Sequence, residues 1–236
     1  MQHATWTPSP HATPATGGPP RVDLSLYLVT DSAMAGSRVL ADVVARAVAA
    51  GVTCVQLREK AASDEEVVAL GRQLVEVLAG TGVPLLIDDR VHLVHPIGAD
   101  GVHIGQEDTP PTAARAALGP EAIIGLSVHD AAQVDAANAL PPATLDYIGL
   151  GPVWATGTKN GHAPPIGPEG LADLRRRSHH PAVAIGGVKA HTLAELAGSG
   201  VEGVAVVSAI CAAADIPAAT RELREALATS PLQGEL

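Results

Sequence analysis

Short apolar runs alternate with amphipathic stretches along almost the whole chain, and the junctions between them recur at near-equal steps. Gly51-Val-Thr, Gly98-Ala-Asp and Gly200-Val-Glu each precede an apolar run, and their spacings are close to two and four units of roughly 25 residues. Pro84-Leu-Leu-Ile and Pro181-Ala-Val-Ala-Ile are again about four such units apart. Strands are predicted over 24–30, 53–59, 84–88, 101–104, 123–128, 147–150, 182–185 and 203–207. Helical segments are predicted over 39–50, 63–78, 91–94, 112–118, 131–140, 168–177, 192–196 and 218–227. Ser63 with Glu66 reads as a capping box, and Gly51 as a helix stop. Eight βα units in strict alternation call for a parallel sheet. A doubly wound sheet normally uses fewer strands, so the expected fold is α/β, a single (β/α)8 TIM barrel spanning residues 21–236.

Composition agrees with that interior. Nearly half the residues are hydrophobic, yet the chain has no Phe and only two Trp and two Tyr, so the core must consist mainly of aliphatic layers. Residues 1–20 are rich in Pro, Thr, Ala and Gly and read as a disordered tail. They lack the charged and apolar regions of a secretory signal, and no apolar run is long enough to span a bilayer. Cys54 and Cys211 sit in separate apolar segments without paired spacing and read as buried hydrophobes in a reducing, cytoplasmic setting. A net charge of −10 argues against sequence-blind nucleic-acid binding. The partners expected are small phosphorylated molecules, with a homo-oligomer left open.

Against that acidic background, the run from Thr53 to Lys60 stands out. On a strand, Val55 and Leu57 share one face, while Cys54, Gln56, Arg58 and Lys60 share the other. An unpaired buried charge costs several kcal/mol, so an anion is expected to meet those cations. In a TIM barrel the chemistry sits at the C-terminal strand ends. That rule gathers Thr30 and Asp31; Gln56, Arg58 and Lys60; Asp88, Asp89 and Arg90; His103, Gln106 and Asp108; Ser127 and His129; Gly151, Thr156, Thr158 and Lys159; Gly186 and Gly187; and Ser208.

Asp89 and Asp108 could converge on one cation, and a donor set of hard oxygens suits Mg²⁺. Taken alone, Asp89 is as well suited to pair with Arg58 or Arg90 as to hold a metal. With Arg58, Lys60 and Lys159 on the same rim, a magnesium pyrophosphate becomes the better reading. Gly186-Gly187 and Val207-Ser208, after the last two strands, offer main-chain N–H groups to a phosphomonoester, and Thr156 and Thr158 can donate to the same ligand. His103 and His129 read as structural, or as groups orienting a rim carboxylate.

These motifs carry a resemblance. Gln56-Leu-Arg-Glu-Lys60, Asp88-Asp-Arg90, Gly98-Ala-Asp-Gly-Val-His-Ile-Gly-Gln-Glu-Asp108, Gly125-Leu-Ser-Val-His129, Gly149-Leu-Gly-Pro-Val153 with Thr156-Gly-Thr-Lys159, and Gly186-Gly187 resemble the thiamine-phosphate synthase family, in order, from Leu26 to about Ile210. The resemblance implies a barrel that joins hydroxymethylpyrimidine pyrophosphate to thiazole phosphate with Mg²⁺, releasing pyrophosphate. It implies that Gln56, Arg58, Lys60 and Lys159 bind the pyrimidine pyrophosphate, that Asp89 and Asp108 bind Mg²⁺, and that Ser127 meets the pyrimidine or the departing group. Thr156, Thr158, Gly187, Val207 and Ser208 would hold thiazole phosphate. Asp88 departs from the family's usual Asn: either it helps hold the metal or Arg90 neutralises it. The rivals are a thiazole tautomerase, which would need neither the carboxylate pair nor the Thr156-Gly-Thr-Lys159 loop, and a non-catalytic phosphate-binding barrel, which would leave that pair idle.

Overall fold

The structure, a computed structural model, describes residues 22–156 and 164–233. The expected tail over 1–20 lies outside the described residues, as do Thr158 and Lys159. Eight strands close into a barrel in sequence order: β1 (Leu26–Val29), β2 (Cys54–Leu57), β3 (Leu85–Asp88), β4 (Gly101–Ile104), β5 (Ile123–Val128), β6 (Tyr147–Leu150), β7 (Ala182–Ile185) and β8 (Gly203–Val206). Every neighbouring pair is parallel, including β8 with β1.

The alternation read from the sequence sorts side chains into two cores. Outward-facing Leu28, Val55, Leu57, Ile87, Ile104, Leu126, Ile148, Ala184 and Val206 pack beneath the helices. Inward-facing Tyr27, Val29, Cys54, Leu86, Ile123, Tyr147, Val183 and Ala205 fill the barrel itself. At about 25 cal/mol per Å², each large side chain moved from water into either layer contributes roughly 1.5–3 kcal/mol. Glycine makes the inner layer possible at Gly125, where an added methyl would overlap the Tyr147 ring.

Between the strands lie α1 (Ser32–Ala35), α2 (Leu40–Ala49), α3 (Asp64–Leu78), α4 (Val94–Ile97), α5 (Pro111–Leu118), α6 (Ala131–Asn138), α7 (Gly167–Arg177), α8 (Ser208–Cys211) and α9 (Ile216–Thr229). The predicted Ser63–Glu66 capping box is present: Ser63 N–H donates to Glu66 at 2.7 Å, and Glu66 N–H donates to Ser63 Oγ at 3.3 Å. Asp64, Glu65 and Glu66 add negative charge where the helix dipole is positive.

Three local expectations need correction. α1 was not foreseen; Asp31 caps it, accepting from Met34 N–H at 3.0 Å. The helix expected over 192–196 is a 3₁₀ turn over Ala190–Leu196, and the one over 91–94 is a 3₁₀ turn, Val91–Leu93, that runs into α4. Such short segments carry too few turns for a 3.6-residue period to declare itself. No helix of the described residues is long and apolar enough to cross a membrane.

Candidate active site

The C-terminal strand ends gather at one mouth those predicted polar residues that are among the described ones. On β2, Gln56 continues the inward face of Cys54 and is 3% exposed. Its Nε2 has no hydrogen-bond partner among the described residues, an unmet donor of the kind a ligand satisfies. Just beyond the strand, Arg58 Nε lies 3.8 Å from Asp88 Oδ2 and Nη1 lies 3.6 Å from Asp31 Oδ2. Lys60 Nζ lies 3.1 Å from Asp88 and also pairs with Asp89. Burial pulls the Lys60 pKa down, but these two carboxylates outweigh it and hold the ammonium above its usual range.

The acidic side comes from β3 and β4. Asp89 N–H donates to His103 O at 2.9 Å, extending the ladder one residue past the strand, and Arg90 N–H closes a three-residue turn onto Asp88 O at 2.7 Å. Asp89 sits at its centre with φ +59, a left-handed conformation that Asp tolerates better than most residues and that often marks a functional site. Asp108 is held by Gly105 N–H, which donates to its Oδ2 at 2.7 Å. Its carboxyl is pushed up first by burial and then by the adjoining Asp89. Two carboxylates set side by side this way suit a shared cation. An open groove of about 560 Å³ reaches both, lined also by His92, His95 and Leu118.

Asp88 takes its counter-charges from Lys60 and Arg58, not from Arg90. Arg90 turns away from it, donating to Asp64 at 2.9 Å, to Glu59 O at 3.1 Å and to Ala62 O at 2.7 Å. Arg90 therefore pins the loop that carries Lys60, and Lys60 and Arg58 face Asp88. Burial raises the Asp88 pKa, Lys60 and Arg58 work against that, and Asp108 adds to it.

Ser127 ends a buried polar chain. Tyr27 and Tyr147 hydroxyls are 2.9 Å apart, Tyr147 Oη is 2.8 Å from His103 Nδ1, and His103 Nε2 is 2.9 Å from Ser127 Oγ. Burial raises both phenol pKa values, so the chain contains neutral tyrosines at ordinary pH. Gln106 donates to Ser127 O at 2.6 Å. His103 thus orients a serine, and His129 Nδ1 lies 2.5 Å from Gly151 O.

The opposite arc belongs to β6, β7 and β8. Gly187 has φ +73, and a Cβ there would lie 2.7 Å from Trp154 Cβ, so only glycine fits this turn against the strand-six loop. Thr156 follows directly in that loop. Val207 and Ser208 open α8 after β8.

The family model for thiamine monophosphate synthase matches residues 26–210. The chain belongs to that family. It is 48% identical over 208 residues to the thiamine-phosphate synthase of Azorhizobium caulinodans, covering 88% of this chain and 97% of that relative. It is 48% identical over 202 residues to the one from Albidiferax ferrireducens, covering 86% and 91%. Among solved structures, the thiamine phosphate pyrophosphorylase from Pyrococcus furiosus superposes with a TM-score of 0.79 at 33% identity, over 89% of this chain and 98% of its own.

Within the synthase family frame, the geometry adds residues that the sequence left unread. Tyr27 and Tyr147 were counted only as scarce aromatics, although both lie in the inward phase of their strands. Lys189 was not read as a rim residue, yet its Nζ donates to Ser208 Oγ at 2.7 Å. Only its position three residues after Gly186 hinted at that.

Proposed function

We propose that the chain condenses 4-amino-2-methyl-5-hydroxymethylpyrimidine pyrophosphate with 4-methyl-5-(2-phosphoethyl)thiazole, giving thiamine phosphate and pyrophosphate. The observation that carries the reading is the convergence of Lys60 and Arg58 with Asp88, and of Asp89 with Asp108, at one barrel mouth.

Asp89 and Asp108 would hold Mg²⁺. The fit is physical: Asp89 and Asp108 line one open groove, where their carboxylates offer hard oxygens and leave room for phosphate oxygens to complete the shell. Bound there, the ion would share the negative charge of the departing pyrophosphate.

The chain's own residues then supply the rest. Arg58, Lys60 and Lys159 bind the pyrophosphate, so charge that develops as it leaves meets fixed cations. Lys60 has 49% of its side chain exposed and can turn its ammonium from Asp89 to the pyrophosphate. The unmet Gln56 amide and Ser127 Oγ hold the pyrimidine, the latter aimed by His103. Thr156, Thr158, Gly187, Val207 and Ser208 seat thiazole phosphate so that its ring nitrogen faces the pyrimidine methylene. Pyrophosphate leaves first, and the nitrogen captures the pyrimidine-methyl cation.

That order needs no protein nucleophile, and the thiols do not supply one. Burial pushes Cys211 up to about 11 and Cys54 well above its normal range, so both stay protonated near neutrality. The test is to mix the purified protein with both phosphorylated halves, with and without Mg²⁺, and look for thiamine phosphate by mass. No product with Mg²⁺ present would overturn the reading.

A further inference from the structure

We propose that Lys189 is a binding residue for the phosphate of the thiazole substrate, adding a cation to a subsite otherwise built of hydroxyls and main-chain N–H groups. This deepens the function proposed above and rests on its placement of thiazole phosphate against Gly187 and Ser208.

Lys189 lies just past the Gly186-Gly187 turn. Its backbone is fixed at both polar groups: Lys189 N–H donates to Thr192 Oγ1 at 3.1 Å, and Thr192 Oγ1 donates to Lys189 O at 3.0 Å. The side chain then crosses from the β7 loop to the start of α8, where Nζ donates to Ser208 Oγ at 2.7 Å in a half-buried setting. Ser208 is itself steadied from the far end of its helix, because Arg38 donates to Ala213 O at 2.5 Å and to Cys211 O.

Charge makes this lysine unlike the other described rim cations. Lys60, Arg58 and Arg90 each face a carboxylate, whereas among the described residues Lys189 forms no ion pair. In a chain of net charge −10, a half-buried ammonium with no acidic partner is a positive charge left for something else. An ammonium carries three donors, and Ser208 accepts from one of them. Position selects the ligand. The Gly187 turn abuts Trp154 and Ala155, so Thr156, Gly187, Lys189 and Ser208 follow one arc over β6, β7 and β8, across the barrel from the ends of β3 and β4 that carry Asp88, Asp89 and Asp108. A phosphomonoester dianion placed among them gains a charge-assisted hydrogen bond from Lys189.

The variants are Lys189→Met and Lys189→Arg, each read by steady-state kinetics in both substrates and by calorimetric binding of thiazole phosphate and of the unphosphorylated thiazole alcohol. Lys189→Met is expected to raise KM and Kd for thiazole phosphate by about tenfold to a hundredfold. KM for the pyrimidine pyrophosphate and affinity for the alcohol should stay within about twofold of wild type. Lys189→Arg should recover most of the loss. Unchanged thiazole phosphate affinity in Lys189→Met overturns the proposal, and so does an equal loss for phosphate and alcohol, which would mark a lysine that only ties two loops together. Should the wild-type protein form no thiamine phosphate, the function proposed above fails, while the calorimetric comparison still decides whether Lys189 binds the phosphate.

Discussion

His103 Nε2 stands 2.9 Å from Ser127 Oγ, and through its other ring nitrogen the histidine is tied to the Tyr147 hydroxyl at 2.8 Å. A residue near the C-terminal end of its strand is thereby fixed by two tyrosines inside the barrel. Replacing His103 with Leu breaks the chain and strips two hydroxyls of a partner. Stability should fall by about 1–3 kcal/mol, seen as a lower urea midpoint at unchanged slope. A wild-type midpoint would show that the chain contributes nothing.

Asp89→Ala and Asp108→Ala should each lower Mg²⁺-dependent product formation at least about a hundredfold, while thiazole phosphate binding remains measurable by calorimetry. Full activity in both variants would remove the metal assignment.

Asp88→Asn separates two roles for that carboxylate. If Asp88 only balances Lys60 and Arg58, an amide can still accept from them and kcat/KM should stay within about threefold of wild type. We expect that outcome, and a collapse comparable to that of Asp89→Ala would instead make Asp88 a metal ligand.

Arg90→Ala should loosen the Glu59–Ala62 loop that carries Lys60. KM for the pyrimidine pyrophosphate should rise by roughly fivefold to tenfold with little change in KM for thiazole phosphate. Equal increases in both would point to a general loss of structure.

Alkali should destabilise the fold. Cys211 at about 11, together with Cys54, Tyr27 and Tyr147, is raised by burial above its ordinary value. The folded state therefore keeps protons that the unfolded chain gives up from about pH 9 upward, so stability is whole below that point and is lost progressively as pH climbs toward the folded values. Thermal melts at pH 8 and pH 10 check the sign, and an equal or higher melting temperature at pH 10 would contradict it. Both thiols should also resist alkylation at pH 8 until the protein is unfolded.

Much of this was legible in the sequence, for physical reasons. A parallel barrel buries both faces of every strand, so runs such as Leu85-Leu-Ile87 and Gly203-Val-Ala-Val206 declare themselves, and the two faces of β2 sorted Cys54 and Gln56 from Val55 and Leu57 correctly. The strand-end rule then put Arg58, Lys60, Asp88, Asp89 and Asp108 within reach of one another. Long-range pairings were not legible. Tyr27 and Tyr147 lie 120 positions apart and meet only after the sheet closes, and His103 and His129 look alike in sequence although one lies inside the barrel and the other bonds to Gly151 O. The left-handed turn at Asp89 and the reach of Lys189 toward Ser208 depend on backbone angles that side-chain type does not reveal.

The mouth is divided by strand order: Arg58, Lys60, Asp88, Asp89 and Asp108 follow β2, β3 and β4, with Asp31 joining them from β1, whereas the glycine turn and Ser208 follow β7 and β8. On the proposed function, the carboxylates and most of the leaving-group cations come from the early strands and the phosphate-binding turns from the late ones, with Lys159, next to Thr158, as the exception. Recoding only the turns after β7 and β8 for a different heteroaromatic nucleophile would, on that reading, leave Arg58, Lys60, Asp89, Asp108 and Lys159 in place, which makes the molecule a starting point for building other pyrimidine-methyl adducts.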